Sequence, residues 1–128
     1  MLDASAAVEW LLQTSAGLKI ERRIYSRSET LHSPHLLDVE VAHALRRFVS
    51  AGRISSIRGD EALLNLLALR IARYPHDVLL TRIWQQRNNL SAYDACYVSL
   101  AEDLGAPLVT CDARLMTARG HRAAIDVF

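Results

Sequence analysis

The sequence predicts a single α/β domain in which a parallel β-sheet is covered by helices on both faces. Its 128 residues suffice for one hydrophobic core but not for two. An apolar fraction of 51% excludes a disordered chain. Short apolar runs of strand type alternate with longer segments of helical periodicity, and this alternation is typical of parallel sheets with helical crossovers.

In the first half of the chain, Met1–Asp3 reads as the end of a short strand that runs directly into a helix. Leu36–Ala51 is the clearest amphipathic helix, because apolar residues recur every three or four positions and Gly52 ends it. Ser56–Ala72 is apolar over most of its circumference. The other elements predicted here are the helices Ala6–Gln13 and Gly17–Ser28 and a short strand at Thr30–Ser33, before Pro34.

In the second half, the stretch from Tyr74 to Asp77 interrupts the helical pattern, which resumes over Val78–Arg87. Gly105 stops the helix Ala92–Leu104. The remaining predicted elements are the strand Leu108–Cys111, the short helix Ala113–Arg119 and a last strand at Ala124–Phe128.

Four acidic residues occupy positions where a core-building sequence has apolar ones: Asp3, Glu40, Asp94 and Asp112. Asp3 and Asp112 each end a predicted strand, and ligands of open α/β sheets bind beyond those carboxyl ends. Glu40 and Asp94 lie in the first turns of helices that can face the same crevice. Two carboxylates about 4 Å apart repel by roughly 4 kcal/mol at an effective dielectric near 20. Four together need a cation, and all-oxygen ligation fits Mg²⁺ or Mn²⁺.

Each acid taken singly also has a structural interpretation. Asp3 can cap the following helix, Asp112 can cap the short helix after it, and Asp94 has a capping-box spacing from Ser91. Glu40 has no such role, because its side chain lies on the apolar stripe of its helix. Asp38 is rotated about 200° from Glu40 and is expected to be solvated.

Other acid-based sites fit less well. The Glu-x-x-His spacing of Glu40 and His43 is that of di-iron carboxylate bundles, which need two copies where this sequence has one. A phosphoacceptor receiver domain would need a late Lys, and none follows Lys19. A DxD phosphatase is excluded because Ala4-Ser5 follows Asp3. The sequence has no Gly-rich phosphate loop, and its five His residues have no metal-binding spacing.

The basic residues suit an anionic substrate. With the four candidate acids set aside, 15 basic residues face 10 acidic ones, and 14 of the 15 are Arg. Arg donates two parallel hydrogen bonds to phosphate, so a small acidic site ringed by Arg has the charge distribution of a metal-dependent nuclease. Codon usage in a GC-rich genome is the alternative explanation for so much Arg.

The sequence predicts a cytoplasmic protein. Cys96 and Cys111 fall within predicted buried elements and form no CxxC pair, so free thiols in a reducing compartment are expected. The N-terminus lacks the basic and long apolar regions of a signal peptide. The most apolar segment, residues 62–73, contains Asn65 and Arg70 and is too short to span a bilayer.

Four segments together resemble the PIN-domain ribonucleases, and more specifically the VapC toxins of bacterial type II toxin–antitoxin modules. They are MLDASA at residues 1–6, PHLLDVEVAHALRR at 34–47, LSAYDACYVSLAEDLGAPLVTCDARL at 90–115 and IDV at 125–127. The resemblance implies a PIN-like three-layer sandwich with a parallel sheet of four or five strands. One departure is that only Met1 and Leu2 precede Asp3, where the family has two or three more apolar residues, so a short first strand is expected.

The resemblance also implies an activity and a set of site residues. The activity is Mg²⁺- or Mn²⁺-dependent endonucleolytic cleavage of RNA, in which the cation activates a water that displaces the ribose 3′ oxygen. The metal ligands would be Asp3, Glu40, Asp94 and Asp112. Thr110 would support them, Ser5 would contact Asp3 or a bound water, and the candidate phosphate contacts are Arg46, Arg47 and Arg114.

The implied partners are an RNA substrate and a cognate VapB-like antitoxin. A homodimer, and a larger complex with the antitoxin, are also expected. The helix Ser56–Ala72 exposes more apolar surface than one buried face needs, so it is a candidate wall of a groove for an antitoxin segment or a homodimer contact. A PIN nuclease of RNA processing and a catalytically degenerate, partner-binding PIN module stay open as alternatives.

Overall fold

The structure, a computed structural model, describes residues 1–26 and 29–128 and contains two parallel strand pairs joined by the start of the chain. β1 (Leu31–Pro34) pairs with β2 (Ile71–Tyr74), and β3 (Leu108–Thr110) pairs with β4 (Ile125–Val127). Residues 1–3 lie between the pairs. The Leu2 N–H donates to His32 O at 3.0 Å on one side, and Leu2 forms a parallel bridge with Val109 on the other. The predicted short first strand is thus reduced to one bridge at the centre of the sheet.

The helices form two groups around this sheet. In the first group, α1 (Ala4–Leu11) packs against β3 and against the three helices that follow it in the chain. In the second group, α6 packs against β1 and β3 on one side and against α5 on the other. The two groups give the predicted three-layer arrangement. The other helices are α2 (Ser15–Ser26), α3 (Leu36–Ser50), α4 (Ser56–Ala68), α5 (Leu80–Gln85, after a 3₁₀ turn at Asp77–Leu79), α6 (Ala92–Leu104) and α7 (Arg114–Thr117).

The centre of α6 is buried on nearly every side. Residues 95–101 are all buried, including the polar Ser99. A helix enclosed in this way needs no amphipathic stripe, because it packs between the sheet and another helix. Leu2, Leu37 and Val98 are almost fully buried and belong to the same core. This core fixes the carboxyl end of β3 beside the N-terminal ends of α1 and α6.

The predicted helix Ser56–Ala72 is wrong beyond Ala68. The chain becomes extended at Leu69 and forms β2 over Ile71–Tyr74, in register with β1. The Leu-rich run hid this strand, because pairing with β1 overrides local helix propensity there. Asp38, expected to be solvated, has a side chain that is 40% exposed, and it also accepts bonds of 2.8 to 3.1 Å from Nε and Nη2 of Arg73 on β2.

Smaller corrections concern element bounds. α1 begins at Ala4 and α2 at Ser15, each two residues earlier than predicted, and part of the predicted helix Gly17–Ser28 lies outside the described residues. The predicted helix Val78–Arg87 is a 3₁₀ turn followed by the short α5. Cys96 is buried as expected, but Cys111 is half-buried because β3 ends before it. In the described part of the chain, no helix has the length and apolarity needed to cross a membrane.

Candidate active site

Asp3 is a buried carboxylate at the junction between the central segment and α1. Its Oδ1 accepts bonds from the Ala6 N–H and the Ser5 hydroxyl, both at 2.8 Å, so it caps α1. Its Oδ2 accepts a bond of 2.5 Å from the Thr110 hydroxyl. Burial raises the pKa of Asp3 above its ordinary value, and the negative charge of Asp112 raises it further, whereas the three hydrogen bonds oppose this change.

The hydroxyls of Ser5 and Thr110 tie Asp3 to the end of β3. Ser5 Oγ accepts the Cys111 N–H at 2.8 Å, and Thr110 Oγ1 accepts the Asp112 N–H at 2.9 Å. Each hydroxyl therefore accepts from a backbone N–H beyond β3 and donates to a different oxygen of Asp3. This linkage fixes the direction of Asp112 relative to Asp3, and both hydroxyls lie where the sequence predicted support for the acids.

Asp112 is bound by a nearby arginine. Its Oδ1 accepts from the backbone N–H and Nε of Arg114, both at 2.9 Å. Its Oδ2 accepts from Nε at 3.1 Å and from NH2 at 2.5 Å. Arg114 consequently lowers the pKa of Asp112, the opposite of the change at Asp3.

Glu40 is held from the other side by a tyrosine of α6. The Tyr97 hydroxyl donates to Glu40 Oε2 at 2.6 Å, and Tyr97 itself is buried. Burial raises the pKa of Glu40, and the negative charges of Asp3 and Asp94 raise it further. Sequence reasoning missed Tyr97. The available signal was its position three residues after Asp94, which places both on one face of α6.

Asp94 lies in the first turn of α6 and shares the N-terminal cap with Ser91. Ser91 Oγ accepts the Asp94 N–H at 3.1 Å and donates to Asp94 Oδ2 at 2.7 Å. The first half of the predicted capping box is therefore present, but the Asp94 carboxylate accepts from the Ser91 hydroxyl and not from the Ser91 backbone N–H. The cap orients the Asp94 carboxylate at the helix end, toward a cavity of about 280 Å³ that Asp112 and Arg114 also line.

A larger apolar groove of about 700 Å³ lies between α1 and α3, on the other side of the acids. Glu40, Ser5 and Tyr93 line it, and Arg47 lies on the same wall. Arg46 instead faces a separate crevice between α3 and α4. Of the two predicted phosphate contacts on α3, only Arg47 therefore lies at the groove beside Glu40.

Electrostatic interactions link the four predicted acids near the carboxyl end of the sheet. The negative charge of Asp112 raises the pKa of Asp3, and the negative charges of Asp3 and Asp94 raise the pKa of Glu40. The described residues nevertheless contain no group of three Asp, Glu, His or Cys side chains already arranged around a metal position. Oxygens without a hydrogen-bond donor among the described residues are Glu40 Oε1 and Asp94 Oδ1. A donor set of carboxylates, without thiolate or imidazole, fits a hard divalent cation.

Comparison with known proteins gives one family. The sequence model of the PIN domain matches residues 1–120. Ribonuclease VapC12 of Mycobacterium tuberculosis is 44% identical over 127 residues, which cover 99% of this chain and 97% of the relative. The VapC ribonuclease Mb0985 of Mycobacterium bovis is 45% identical over 115 residues, covering 90% of this chain and 87% of the relative.

Solved structures show the same fold. PAE2754 of Pyrobaculum aerophilum superposes with a TM-score of 0.71 at 28% identity, covering 98% of this chain and 81% of the other. A crystal structure of VapBC2 of Rickettsia felis, bound to a DNA fragment from its promoter, gives a TM-score of 0.64. There the identity is 12% and the coverage 99% and 96%, so this likeness concerns the fold alone.

Proposed function

The chain belongs to the PIN-domain family, among the VapC ribonucleases, and we propose that it is a Mg²⁺- or Mn²⁺-dependent endoribonuclease that acts as a toxin. The observation that supports the proposal is the electrostatic interaction among Asp3, Glu40, Asp94 and Asp112 near the carboxyl end of the parallel sheet. Two of these carboxyls have raised pKa values because they are buried near other negative charges. A divalent cation at this position would relieve that repulsion.

The four carboxylates would hold the cation, and the neighbouring hydroxyls would orient them. Asp3 keeps acceptor capacity on Oδ2, which receives one hydrogen bond, and Glu40 and Asp94 each have an oxygen without a donor among the described residues. Thr110 and Ser5 hold Asp3, and Tyr97 holds Glu40. When bound, Mg²⁺ or Mn²⁺ would neutralise charge on the scissile phosphate and make water a stronger nucleophile at neutral pH.

The RNA backbone would be bound by arginines on both sides of the acids. Arg47 lines the groove beside Glu40, and Arg114 lines the cavity beside Asp94. Arginine binds phosphate through two parallel hydrogen bonds, so these residues can orient the strand across the acids. The exposed Tyr93, also in the groove wall, offers an aromatic face to a base.

The partner we propose is a VapB-like antitoxin that covers apolar surface on the helices. The helix α4 exposes large apolar side chains, as the sequence predicted. At least 66% of the surface is exposed in each of Ile57, Leu64 and Leu67. Exposed apolar surface of this kind marks interaction sites. We also propose the homodimer, its larger complex with the antitoxin and a cytoplasmic location, which suits the free thiols Cys96 and Cys111.

The catalytic test is cleavage of total RNA by the purified protein with Mg²⁺ or Mn²⁺. Asp3→Asn and Asp94→Asn should reduce cleavage by at least about a hundredfold, as loss of a charged active-site group commonly does. Asp103→Asn is the matched control, because Asp103 is an exposed acid of the same helix as Asp94. Cleavage that survives both active-site substitutions, or EDTA, would contradict the metal site.

The biological test separates a toxin from an RNA-processing nuclease. Expression of the protein should arrest growth, whereas the Asp94→Asn variant should not. Co-expression of a VapB-like antitoxin, if one is encoded immediately upstream, should restore growth, and that antitoxin should copurify with the toxin. Growth that continues while the purified protein cleaves RNA would favour the processing nuclease. A protein that binds a partner but cleaves nothing would be the degenerate module.

A further inference from the structure

Three N–H groups of Arg114 contact the two oxygens of Asp112, and the geometry points to a masking role. We propose that Arg114 is an internal counter-cation that keeps Asp112 from ligating a divalent ion, which must displace its guanidinium to complete the site. This inference rests on the proposed metal-dependent activity. The cation that competes with the metal for Asp112 is then the guanidinium of Arg114 in the same chain.

Both oxygens of Asp112 are engaged by Arg114, whose Nε–H is shared between them. A carboxylate offers about four acceptor sites. In Asp112 the backbone N–H and Nε of Arg114 approach Oδ1, and Nε and NH2 approach Oδ2, all within 3.1 Å. Three of these four contacts come from the arginine side chain, so only movement of that side chain frees the carboxylate.

The other three acids differ from Asp112 in this respect. Glu40 and Asp94 each receive one side-chain hydrogen bond, and both come from neutral hydroxyl groups. Asp3 receives three bonds, from two hydroxyls and a backbone N–H. Within the described ranges, Asp112 is therefore the one member of the set that is paired with a cation.

The ion pair between Arg114 and Asp112 is open to solvent, so a competing cation can displace the arginine. The Arg114 side chain is 86% exposed, and that of Asp112 is 22% exposed. An ion pair so open to water is weak, because water and salt screen it. A divalent ion carries twice the charge and would also gain the open oxygens of Glu40 and Asp94, so it can compete with the guanidinium.

The test measures metal affinity in the absence of RNA. Mn²⁺ is titrated calorimetrically into wild-type protein, Arg114→Ala and Arg119→Ala. Arg114→Ala keeps the backbone N–H that donates to Asp112 Oδ1 and loses only the side-chain contacts. Arg119→Ala removes the same charge from an exposed arginine just beyond α7. We expect Arg114→Ala to bind Mn²⁺ roughly two- to fivefold more tightly than wild type. Arg119→Ala should bind like wild type.

A second measurement observes the displacement directly. The Nε–H resonance of Arg114, identified by its absence from the Arg114→Ala spectrum, should shift when diamagnetic Mg²⁺ is added to wild-type protein. The proposal is overturned if Arg114→Ala binds Mn²⁺ no more tightly than wild type, or if this resonance stays in place while metal binds. If wild type cleaves RNA and binds Mn²⁺ in those cases, the proposed function stands and only the mask fails. If wild type neither binds metal nor cleaves RNA, both fail.

Discussion

Tyr97 and Glu40 form the hydrogen bond that links α6 to α3 at the candidate active site. The buried Tyr97 hydroxyl donates to Glu40 Oε2 at 2.6 Å, which leaves Oε1 without a donor among the described residues. Because the contact engages one oxygen, it holds the carboxylate and keeps an acceptor available. Tyr97 thereby positions Glu40 without itself reaching the open side of the site.

Replacement of Tyr97 by Phe should weaken metal binding and RNA cleavage together. The phenyl ring retains the packing, but Glu40 loses the bond that orients it, so we expect about a tenfold loss in cleavage at limiting Mn²⁺. Tyr93→Phe is the control, since Tyr93 lies on the same helix and is 60% exposed. Equal cleavage and equal Mn²⁺ affinity in the two variants would show that the hydroxyl of Tyr97 has no positioning role.

Replacement of Glu40 by Gln should stabilise the metal-free protein in a pH-dependent way. The folded-state pKa of Glu40 is raised above its ordinary value of 4.5, first by burial. Because its pKa is raised, Glu40 holds its proton more tightly in the folded state than in the unfolded state. The free energy of unfolding of wild type therefore falls as the pH rises and Glu40 ionises. The variant should therefore gain free energy of unfolding over wild type as the pH increases from 4 to 7.

Urea unfolding in EDTA across this pH range provides the measurement for Glu40→Gln. The difference between the two proteins should vanish below the ordinary pKa, where both side chains are neutral. Added Mg²⁺ should reverse the order at neutral pH, because it stabilises wild type through the carboxylate that the variant lacks. A difference that is constant with pH would contradict the raised pKa.

Replacement of Gly17 by Ala should destabilise the fold strongly. A Cβ at this position would lie 2.0 Å from the backbone oxygen of Glu9, so α1 and α2 would have to separate. Overpacking of this kind costs about 1–3 kcal/mol or more. Gly52→Ala is the comparison: its φ of +66° is strained for Ala, but no atom lies within 4 Å of the added Cβ. Thermal unfolding should show the larger loss for Gly17→Ala.

Replacement of Glu102 by Gln should loosen the segment before β4. Glu102 accepts bonds from Nε and NH2 of Arg82 at 2.8 and 2.9 Å and from the Arg122 N–H at 2.7 Å. Arg82 lowers the pKa of Glu102, so the stability it contributes is present above its ordinary value of 4.5 and lost at lower pH. We expect a loss of about 1–3 kcal/mol at pH 7 by chemical denaturation.

The matched control for Glu102→Gln is Asp103→Asn, an exposed neighbour on α6. Its free energy of unfolding should change little, since surface substitutions usually stay within about 0.5 kcal/mol. The Glu102→Gln loss should also shrink as the pH falls through the lowered pKa. Equal losses in the two variants at pH 7 would show that the contacts with Arg82 and Arg122 contribute nothing measurable.

The predicted fold class was correct, but one strand was missed because a Leu-rich helical pattern runs into it. The Leu-rich run after Ser56 reads as one long helix, yet Ile71–Tyr74 leaves it to pair with β1. Asp38 reads as solvated on its helix alone, and its partner Arg73 lies on that unpredicted strand. The strand and the ion pair with Arg73 were both missed because the pairing of β1 with β2 joins residues 40 positions apart, beyond the reach of local periodicity.

The sequence by itself determined the α/β class and the family, and it identified four acids as the candidate metal ligands. It could do so because apolar periodicity and misplaced carboxylates are visible along the chain, and because the PIN family has recognisable segments around those acids. Only the tertiary structure decided how three of the four acids are held: Asp3 by two hydroxyls, Glu40 by Tyr97 and Asp112 by Arg114. Thr110 and Tyr97 lie 107 and 57 positions along the chain from the acids they hold. Burial, which only packing creates, is what raises the pKa of Asp3 and Glu40.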